Sequence, residues 1–255
     1  MNFIHSFQSE WLKKKGSLAS YLVFIGAFFT PLIVTIIRTV RYEGLAVATK
    51  APDFWEKQWS SSWESMAIFL LPMGIIMAAA LIAQLEFKNN AWKQLHTTPQ
   101  SLTIIFLAKH AVILTMMVQL FVLFNLGVYL SGIIPNFLRG IPYPSEPIPF
   151  VFLLKEDVKY FLVCLPIVAL QYLISLRFSN FLVPVGAGLV IWFGTLASLS
   201  WKYSYIFPFS HSMLSYLKTV GKYKQDINFE PLAAGYFVVI TMVSYVIYVK
   251  QRERG

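Results

Sequence analysis

The sequence predicts an all-α membrane protein with six transmembrane helices, and three observations support this fold class. Of the 255 residues, 57% are hydrophobic and only 13% are charged, whereas soluble domains carry about 25% charged residues. Six apolar runs have about the 20 residues that a helix needs to cross roughly 30 Å of hydrocarbon. The lysines and arginines lie between these runs, so the net charge of +9 indicates membrane-flanking positions rather than a nucleic-acid-binding surface.

The predicted spans divide the whole chain, residues 1–255, into one transmembrane domain. Residues 177–180 are the only connection between the fourth and fifth spans, which predicts an antiparallel hairpin. The remaining connections are too short for a separate soluble catalytic domain. The six predicted spans are residues 17–37, 65–85, 102–130, 158–176, 181–199 and 231–249.

The distribution of positive charge predicts that both termini lie in the cytoplasm. An even number of spans places the two termini on the same side. Lysines at 13–15 precede the first span and basic residues at 250–254 follow the last one, and basic residues close to span ends mark the cytoplasmic side. Arg38 and Arg41, just after the first span, favour the opposite orientation.

The first sixteen residues predict an amphipathic helix that lies in the cytoplasmic membrane interface. Phe3, Phe7 and Trp11 recur every four positions, which places them on one helical face. Gly16 then separates this helix from the first span. We expect the three aromatic rings to anchor the helix in the interface; the alternative is a simple extension of the first span.

Three tryptophans, Trp55, Trp59 and Trp63, share the same four-residue spacing in the predicted outer loop after the first span. An indole has an apolar body and one N–H donor, which suits the lipid headgroup layer. We therefore expect interfacial anchoring. The alternative is an aromatic surface through which an amphipathic substrate enters.

The predicted outer loop at residues 200–230 is rich in aromatic side chains, including Tyr205, Phe207 and Phe209. This composition is too apolar for a solvated connection, so we expect the loop to fold back into the outer leaflet or to cover the mouth between spans. Irregular backbone at membrane depth is tolerated only where protein buries it or water reaches it. These three residues are candidates for an outer gate or a substrate pathway.

Three polar residues, Gln119, Asn125 and Gln171, lie within the predicted spans. They either hydrogen-bond between helices or line a pathway for substrate. Lys109 and His110 lie near the cytoplasmic end of the third span, where a long lysine side chain reaches the interface. We interpret that pair as interfacial rather than as transport chemistry.

The sequence contains no recognisable catalytic or metal site. A nucleotide-binding G-x-x-x-x-G-K-[ST] motif is absent, as are G-x-S-x-G and H-E-x-x-H. The four histidines have no partner at metal-ligand spacing. A membrane-embedded enzyme would require a reactive constellation, so this class is an alternative without a candidate site; a non-transport scaffold or sensor subunit is a second alternative.

The segment between the second and third spans, residues 86–101, is the most informative part of the chain. Glu86 ends the second span, Trp92 and Leu95 lie on one side of a short predicted helix, and Pro99 ends that helix. A short helix that projects from the membrane with an exposed tryptophan fits a socket on a partner protein.

This segment resembles the first cytoplasmic loop of type-2 ABC exporter permeases, in which a coupling helix is followed by a helix bearing an Ala-Lys pair, here Ala108-Lys109. The six spans, the amphipathic amino-terminal helix and the outer loop before the last span are also similar to that family. The sequence has Asn89 and Asn90 where the family commonly has Glu-x-x-x-Gly. The nearest similarity is to small permeases of the bacteriocin- and lantibiotic-immunity or multidrug groups.

The resemblance implies the membrane subunit of an ATP-driven exporter in a bacterial plasma membrane. ATP and Mg²⁺ would bind to a separate cytoplasmic ATPase, with no cofactor bound directly by this chain. A second permease, identical or similar, would complete the pathway for an amphipathic or hydrophobic substrate such as a peptide, a bacteriocin or a drug-like compound. The resemblance assigns contact with the ATPase to Glu86, Asn89, Asn90, Trp92, Lys93 and Leu95.

Overall fold

The computed structural model describes residues 2–87 and 101–253, and the side chains of residues 2–85 and 101–250. The regular secondary structure of these residues is helical, as the fold class predicted. A π-helical turn, Met66–Leu70, joins α4 and α5 into one continuous helix. The α-helices are α1 Phe3–Lys14, α2 Leu18–Val40, α3 Leu45–Ala48, α4 Phe54–Ser65, α5 Leu71–Phe87, α6 Leu102–Arg139, α7 Phe150–Arg177, α8 Leu182–Ser198, α9 His211–Thr219 and α10 Phe229–Glu253.

Five helical stretches within the described residues are long and apolar enough to cross a membrane. The helix that corresponds to the fifth predicted span, α8, is apolar but has only 17 residues. The five stretches are Leu18–Val40, Phe54–Leu85, Leu102–Arg139, Phe150–Arg177 and Phe229–Lys250.

Three helices extend well beyond the predicted spans. The third span was predicted to end at residue 130, but α6 continues to Arg139. The second span was predicted to begin at residue 65, but the helix already begins at Phe54; the fourth was predicted from residue 158, but α7 begins at Phe150. Hydropathy measures only the length suited to lipid. The additional turns are helical because their side chains pack against one another, as with Trp59 and Phe152, whose ring centroids are 5.6 Å apart.

Helices α2 and α6 run in the same direction and in close contact. A Cβ atom on Gly26 would lie 3.7 Å from Leu120, and one on Gly127 would lie 2.8 Å from Pro31. From the first contact to the second, the residue number increases in both helices, so α2 and α6 are parallel. Glycine at 127 allows the Pro31 ring of α2 to approach the α6 backbone.

Helices α6 and α7 run in opposite directions. Phe106 contacts Tyr172 near the start of α6, with ring centroids 5.6 Å apart, and Phe121 contacts Phe161 farther along at 6.4 Å. We call the end of the bundle where α6 begins the Leu102 end, and the end where α7 begins the Phe150 end. The chain passes from α5, which ends at Phe87, to α6, which begins at Leu102. Helix α10 also reaches the Leu102 end, where the hydroxyl groups of Tyr245 and Thr103 lie 2.7 Å apart.

The core near the Phe150 end is built from stacked aromatic rings. The rings of Trp63 and Tyr160 are nearly parallel, with centroids 4.0 Å apart, and Trp59 packs beside both. Trp63 and Tyr160 have no solvent exposure. Burial of such large rings supplies a large share of the apolar stabilisation where the α4 and α7 helices extend past the predicted spans.

The segment between α8 and α10 folds into the bundle. Phe209, His211, Met213 and Leu214 are fully buried, and α9 packs on α7 and on the π-helical turn. Backbone N–H groups of this segment donate hydrogen bonds within short helical turns. The Nε2 atom of His211 lies 2.9 Å from the Tyr205 carbonyl oxygen. This burial explains the apolar composition of the predicted outer loop.

Candidate functional site

A groove of about 520 Å³ opens between α4, α6 and α7 toward the Phe150 end of the bundle. Its lining is mainly apolar and aromatic, as is usual for pockets that bind organic molecules. We call it the outer groove. It is lined by Trp55, Trp59, Val122, Asn125, Leu126, Val128, Tyr129, Ile148, Phe150, Leu153, Leu154 and Asp157.

A chain of hydrogen bonds crosses the polar floor of the outer groove. The Trp59 indole N–H donates to Asn125 Oδ1 at 3.2 Å. The Asn125 amide then donates to Asp157 Oδ2 at 2.6 Å and to the Phe121 carbonyl oxygen at 2.9 Å. Asn125 therefore uses both ends of its amide, and its orientation is fixed by three partners on α4, α6 and α7.

The second oxygen of the Asp157 carboxylate has an unusual environment. Asp157 Oδ1 is buried and accepts no hydrogen bond within the described parts of the chain. The neighbouring Glu156 is different, because Lys159 Nζ lies 3.2 Å from its Oε2 and also 3.0 Å from Thr219. An ionisable side chain with unused bonding capacity in a membrane-spanning helix is costly and marks a candidate functional site.

An aromatic pair forms one side of the outer groove. Trp55 stacks on Tyr129 with ring centroids 5.6 Å apart, and its indole N–H donates to the Glu146 carbonyl oxygen at 3.0 Å. A Cβ atom on Gly132 would lie only 2.7 Å from the Trp55 ring. Glycine at 132 therefore leaves the space that this indole occupies.

The groove continues into a second cavity of about 270 Å³ on the same face of α6 and α7. Val122, Leu154 and Asp157 line both spaces. Asp157 thus lies at the junction of two apolar spaces, where an elongated apolar chain has room on either side of the carboxylate.

The three polar residues predicted within the spans lie in three different places. Asn125 is part of the outer groove. Gln119 accepts a hydrogen bond from Lys14 Nζ at 3.2 Å, and buried Gln171 donates to the Pro184 carbonyl oxygen at 2.8 Å. Gln119 therefore joins α1 to α6, and Gln171 joins α7 to α8. Of the three residues, Asn125 lines the outer groove.

The tryptophans predicted for interfacial anchoring lie inside the protein. Trp59 and Trp63 are at most 1% exposed and Trp55 is 8% exposed. This placement differs from the headgroup position that we predicted, because α4 continues the second span and turns these rings toward α6 and α7. Two of them, Trp55 and Trp59, line the outer groove instead.

The three aromatic residues predicted as an outer gate also occupy different positions. Phe209 is fully buried, Phe207 is 38% exposed, and Tyr205 is half-buried. They belong to the segment between α8 and α9, and none of them lines the outer groove.

The amino-terminal helix α1 packs on α6 through a polar face. Ser6, Glu10 and Lys14 are buried, whereas Phe3 is 44% exposed and Phe7 and Trp11 are only partly covered. The aromatic stripe of Phe3, Phe7 and Trp11 therefore leaves apolar surface for lipid, and the neighbouring stripe of Ser6, Glu10 and Lys14 contacts protein.

A buried ion pair connects this polar face to α6. Lys109 Nζ lies 2.5 Å from Glu10 Oε2, and the two side chains are 0% and 7% exposed. Burial alone works to raise the pKa of Glu10, but Lys109 and Lys13 outweigh it and hold this pKa below its ordinary value of 4.5. Lys109 therefore pairs inside the protein, where we had predicted a side chain that reaches the interface.

The side chains that the resemblance assigns to ATPase contact lie outside the part of the chain that the structure describes. Asn89, Asn90, Trp92, Lys93 and Leu95 lie outside the described residues. Glu86 belongs to α5 by its backbone, and its side chain also lies outside the described part.

Two acidic residues, Asp157 and Glu10, were not identified from the sequence. Asp157 lies in a run with Lys155, Glu156 and Lys159 that resembles ordinary interface charge before a span. The helical period was the available signal. Spacings of three and four residues place Asp157 on the same helix face as Leu154, Tyr160 and Phe161. Glu10 lies beside the aromatic stripe of α1, and nothing in the sequence pairs it with Lys109.

The fold defines a class of protein: a multi-pass membrane protein made of apolar helices, with a buried polar cluster and an adjoining groove. A model of the ABC-2 family transporter proteins matches residues 6–195, and the chain belongs to this family. It is a permease subunit of an ABC transporter, the transport component rather than the catalytic one. No curated protein and no solved structure shows a significant match to the chain.

Proposed function

We propose that this permease subunit exports an amphipathic or hydrophobic substrate with energy from a separate ABC ATPase. The observation that carries the proposal is the outer groove: a cavity of about 520 Å³ with an almost wholly apolar lining and a polar floor of Asn125 and Asp157. An amphipathic molecule matches this distribution, since its chain contacts the aromatic sides and its polar end contacts the floor.

The coupling to ATP hydrolysis is assigned to residues 86–101. This segment connects α5 and α6 at the Leu102 end, and the outer groove lies toward the Phe150 end of the same helix α6. We propose that Glu86, Trp92 and Leu95 bind the ATPase, so that α6 connects the bound ATPase to the groove. A ligand or nucleotide can change the state of such a bundle only through different affinities for two states.

The assembly that follows from this proposal contains two permeases and two ATPase subunits in a bacterial plasma membrane, with both termini in the cytoplasm. Residues 13–15 and 250–254 then lie on the ATPase side. The groove lies at a surface between α6 and α7 that lipid or a second permease can reach; Leu154 and Val122 on its rim are 65% and 63% exposed. A peptide, bacteriocin or drug-like compound would enter there.

Copurification in mild detergent tests the ATPase assignment. Trp92→Ala is expected to reduce recovery of an ABC ATPase with the permease by about 30-fold, because loss of a central tryptophan at an interface costs about 2 kcal/mol or more. The matched control is Trp201→Ala, which removes a tryptophan that is 52% exposed after α8 at the Phe150 end. Equal recovery of the ATPase by the wild type and both variants would contradict the assignment of the 86–101 segment.

A membrane-embedded enzyme remains the alternative class with the least support. Within the described residues, no group of three or more His, Cys, Asp or Glu side chains is placed to hold a metal ion. Substrate turnover by the purified chain alone, without an ATPase, would favour that alternative.

A further inference from the structure

We propose that the outer groove selects substrates that carry an organic cation, and that Asp157 is the residue that recognises it. The ligand class is an amphiphile with an ammonium or guanidinium group at one end of an apolar chain. This inference deepens the proposed function, because it rests on the groove being the substrate site, and it assigns the chemical feature that the substrate must have.

The first argument is the unused bonding capacity of the carboxylate. Asn125 occupies Oδ2 of Asp157 at 2.6 Å, while Oδ1 is buried with no hydrogen-bond donor in the described part of the chain. Removal of a carboxylate oxygen from water costs free energy unless a donor or a cation replaces the water. A bound ammonium or guanidinium group supplies both the donor and the opposite charge.

The second argument is the position of the basic side chains around α7. Lys159 forms its contacts with Glu156 and Thr219, which do not line the groove. The lining of the groove contains Asp157 as an acidic residue and contains no lysine or arginine. The groove therefore has an acidic side chain with no basic side chain in its lining, and in its ionised form this carboxylate attracts a cation and repels an anion.

The third argument is the aromatic lining around the carboxylate. Trp55, Trp59 and Tyr129 line the same groove as Asp157. Organic cations bind to the faces of such rings within about 6 Å, with tryptophan the strongest partner. The adjoining cavity of about 270 Å³, which Asp157 also lines, gives room for an apolar chain beyond the cation.

Indole quenching provides a direct binding assay, because Trp55 and Trp59 are in the groove. The permease, purified without ATPase in phosphatidylcholine nanodiscs, is titrated with an ω-bromoundecyl trimethylammonium salt or with ω-bromoundecanol. The two probes have the same brominated chain and differ in charge. Partition into lipid gives non-saturable quenching, measured with a tryptophan-containing peptide in nanodiscs that lack the protein, while occupation of the groove gives a saturable component.

The expected result is saturable binding of both probes, with the ammonium probe tighter by about 10- to 100-fold, which corresponds to a hydrogen bond or ion pair with a charged group. Asp157→Asn is expected to abolish this preference, and saturable binding of the alcohol by the variant shows that it is folded. Glu156→Gln removes the same charge from the adjacent residue, outside the groove, and is expected to keep the preference.

The outcomes separate the two proposals. Saturable binding of both probes with equal affinity in the wild type, or a preference that survives in Asp157→Asn, would overturn the cation assignment while leaving the groove as a substrate site. Absence of a saturable component for both probes would overturn the groove as a substrate site, and with it both proposals. If the Asp157→Asn variant does not fold, the affinities of the wild type for the two probes still test whether the groove prefers a cation.

Discussion

The buried ion pair between Glu10 and Lys109 predicts that removal of one of its charges weakens the docking of α1 on the bundle. Glu10→Gln keeps the size of the side chain and removes its charge. Loss of one partner of a buried ion pair costs about 3–5 kcal/mol. The Lys109 side chain makes further contacts, so we take the lower value, about 3 kcal/mol, which corresponds to a change of roughly 150-fold in the equilibrium between docked and detached α1.

Hydrogen exchange of the α1 amides measures this equilibrium, because exchange requires that the helix opens. Mass spectrometry of the fragment that contains Phe3–Lys14 is expected to show protection about 100-fold weaker in Glu10→Gln than in the wild type. Lys13→Gln is the matched control. Lys13 contacts the same carboxylate but is 46% exposed, and exposed ion pairs contribute only about 0–1 kcal/mol.

The same contact predicts a pH dependence with a definite sign. Because the pKa of Glu10 lies below 4.5 in the folded protein, the ion pair contributes stability fully above the ordinary value of 4.5. That contribution is lost as the pH falls below 4.5 through the lower pKa of the folded state. Equal protection in the wild type and Glu10→Gln at neutral pH, or an equal loss in Lys13→Gln, would refute the importance of the buried pair.

Two further predictions concern the packing of α8 and the buried imidazole of His211. Gly188→Ala places a Cβ atom against the Gln171 amide and is expected to lower stability in detergent by about 1–3 kcal/mol. Gly186→Ala on the same helix places its Cβ atom in open space and is expected to raise stability by about 0.5–1 kcal/mol. Similar melting temperatures for the two variants would contradict this packing. Burial of His211 lowers its pKa below the ordinary 6.5, against the opposing effect of the Tyr205 carbonyl, so the folded state loses stability as the pH falls below 6.5 through that lower pKa. Thermal melting at several pH values is expected to show a smaller acid-induced decrease in His211→Gln, and an unchanged decrease would contradict a neutral buried imidazole.

The helical fold was predictable because long apolar runs leave few alternatives in lipid. The start of the second helix was not predictable from hydropathy, because residues 54–64 are too polar on average to be assigned to a membrane span. Their helix is stabilised by tertiary contacts, above all the stack of Trp63 on Tyr160 at 4.0 Å. A ring spacing of four residues predicted one helical face correctly, but the sequence does not reveal whether that face contacts lipid or protein.

The candidate site was only half predictable for a similar reason. Asn125 was visible as a polar residue in a span, and the structure adds its partner Asp157, which is 32 residues away in the chain. The contact between Glu10 and Lys109 spans 99 residues. In both cases a single sequence shows the two polar residues separately, and only the packing of one helix against another brings them together.

ATP-dependent transport in proteoliposomes tests the central claim most directly. The permease and the ATPase that copurifies with it are reconstituted together, and movement of a fluorescent cationic amphiphile is followed with ATP or a non-hydrolysable analogue. The account predicts movement that requires hydrolysable ATP and falls by about tenfold or more in Asp157→Asn while remaining near wild type in Glu156→Gln. Amphiphile movement that is independent of ATP, or that is equal in all three proteins, would contradict an ATP-driven permease whose substrate binds in the outer groove.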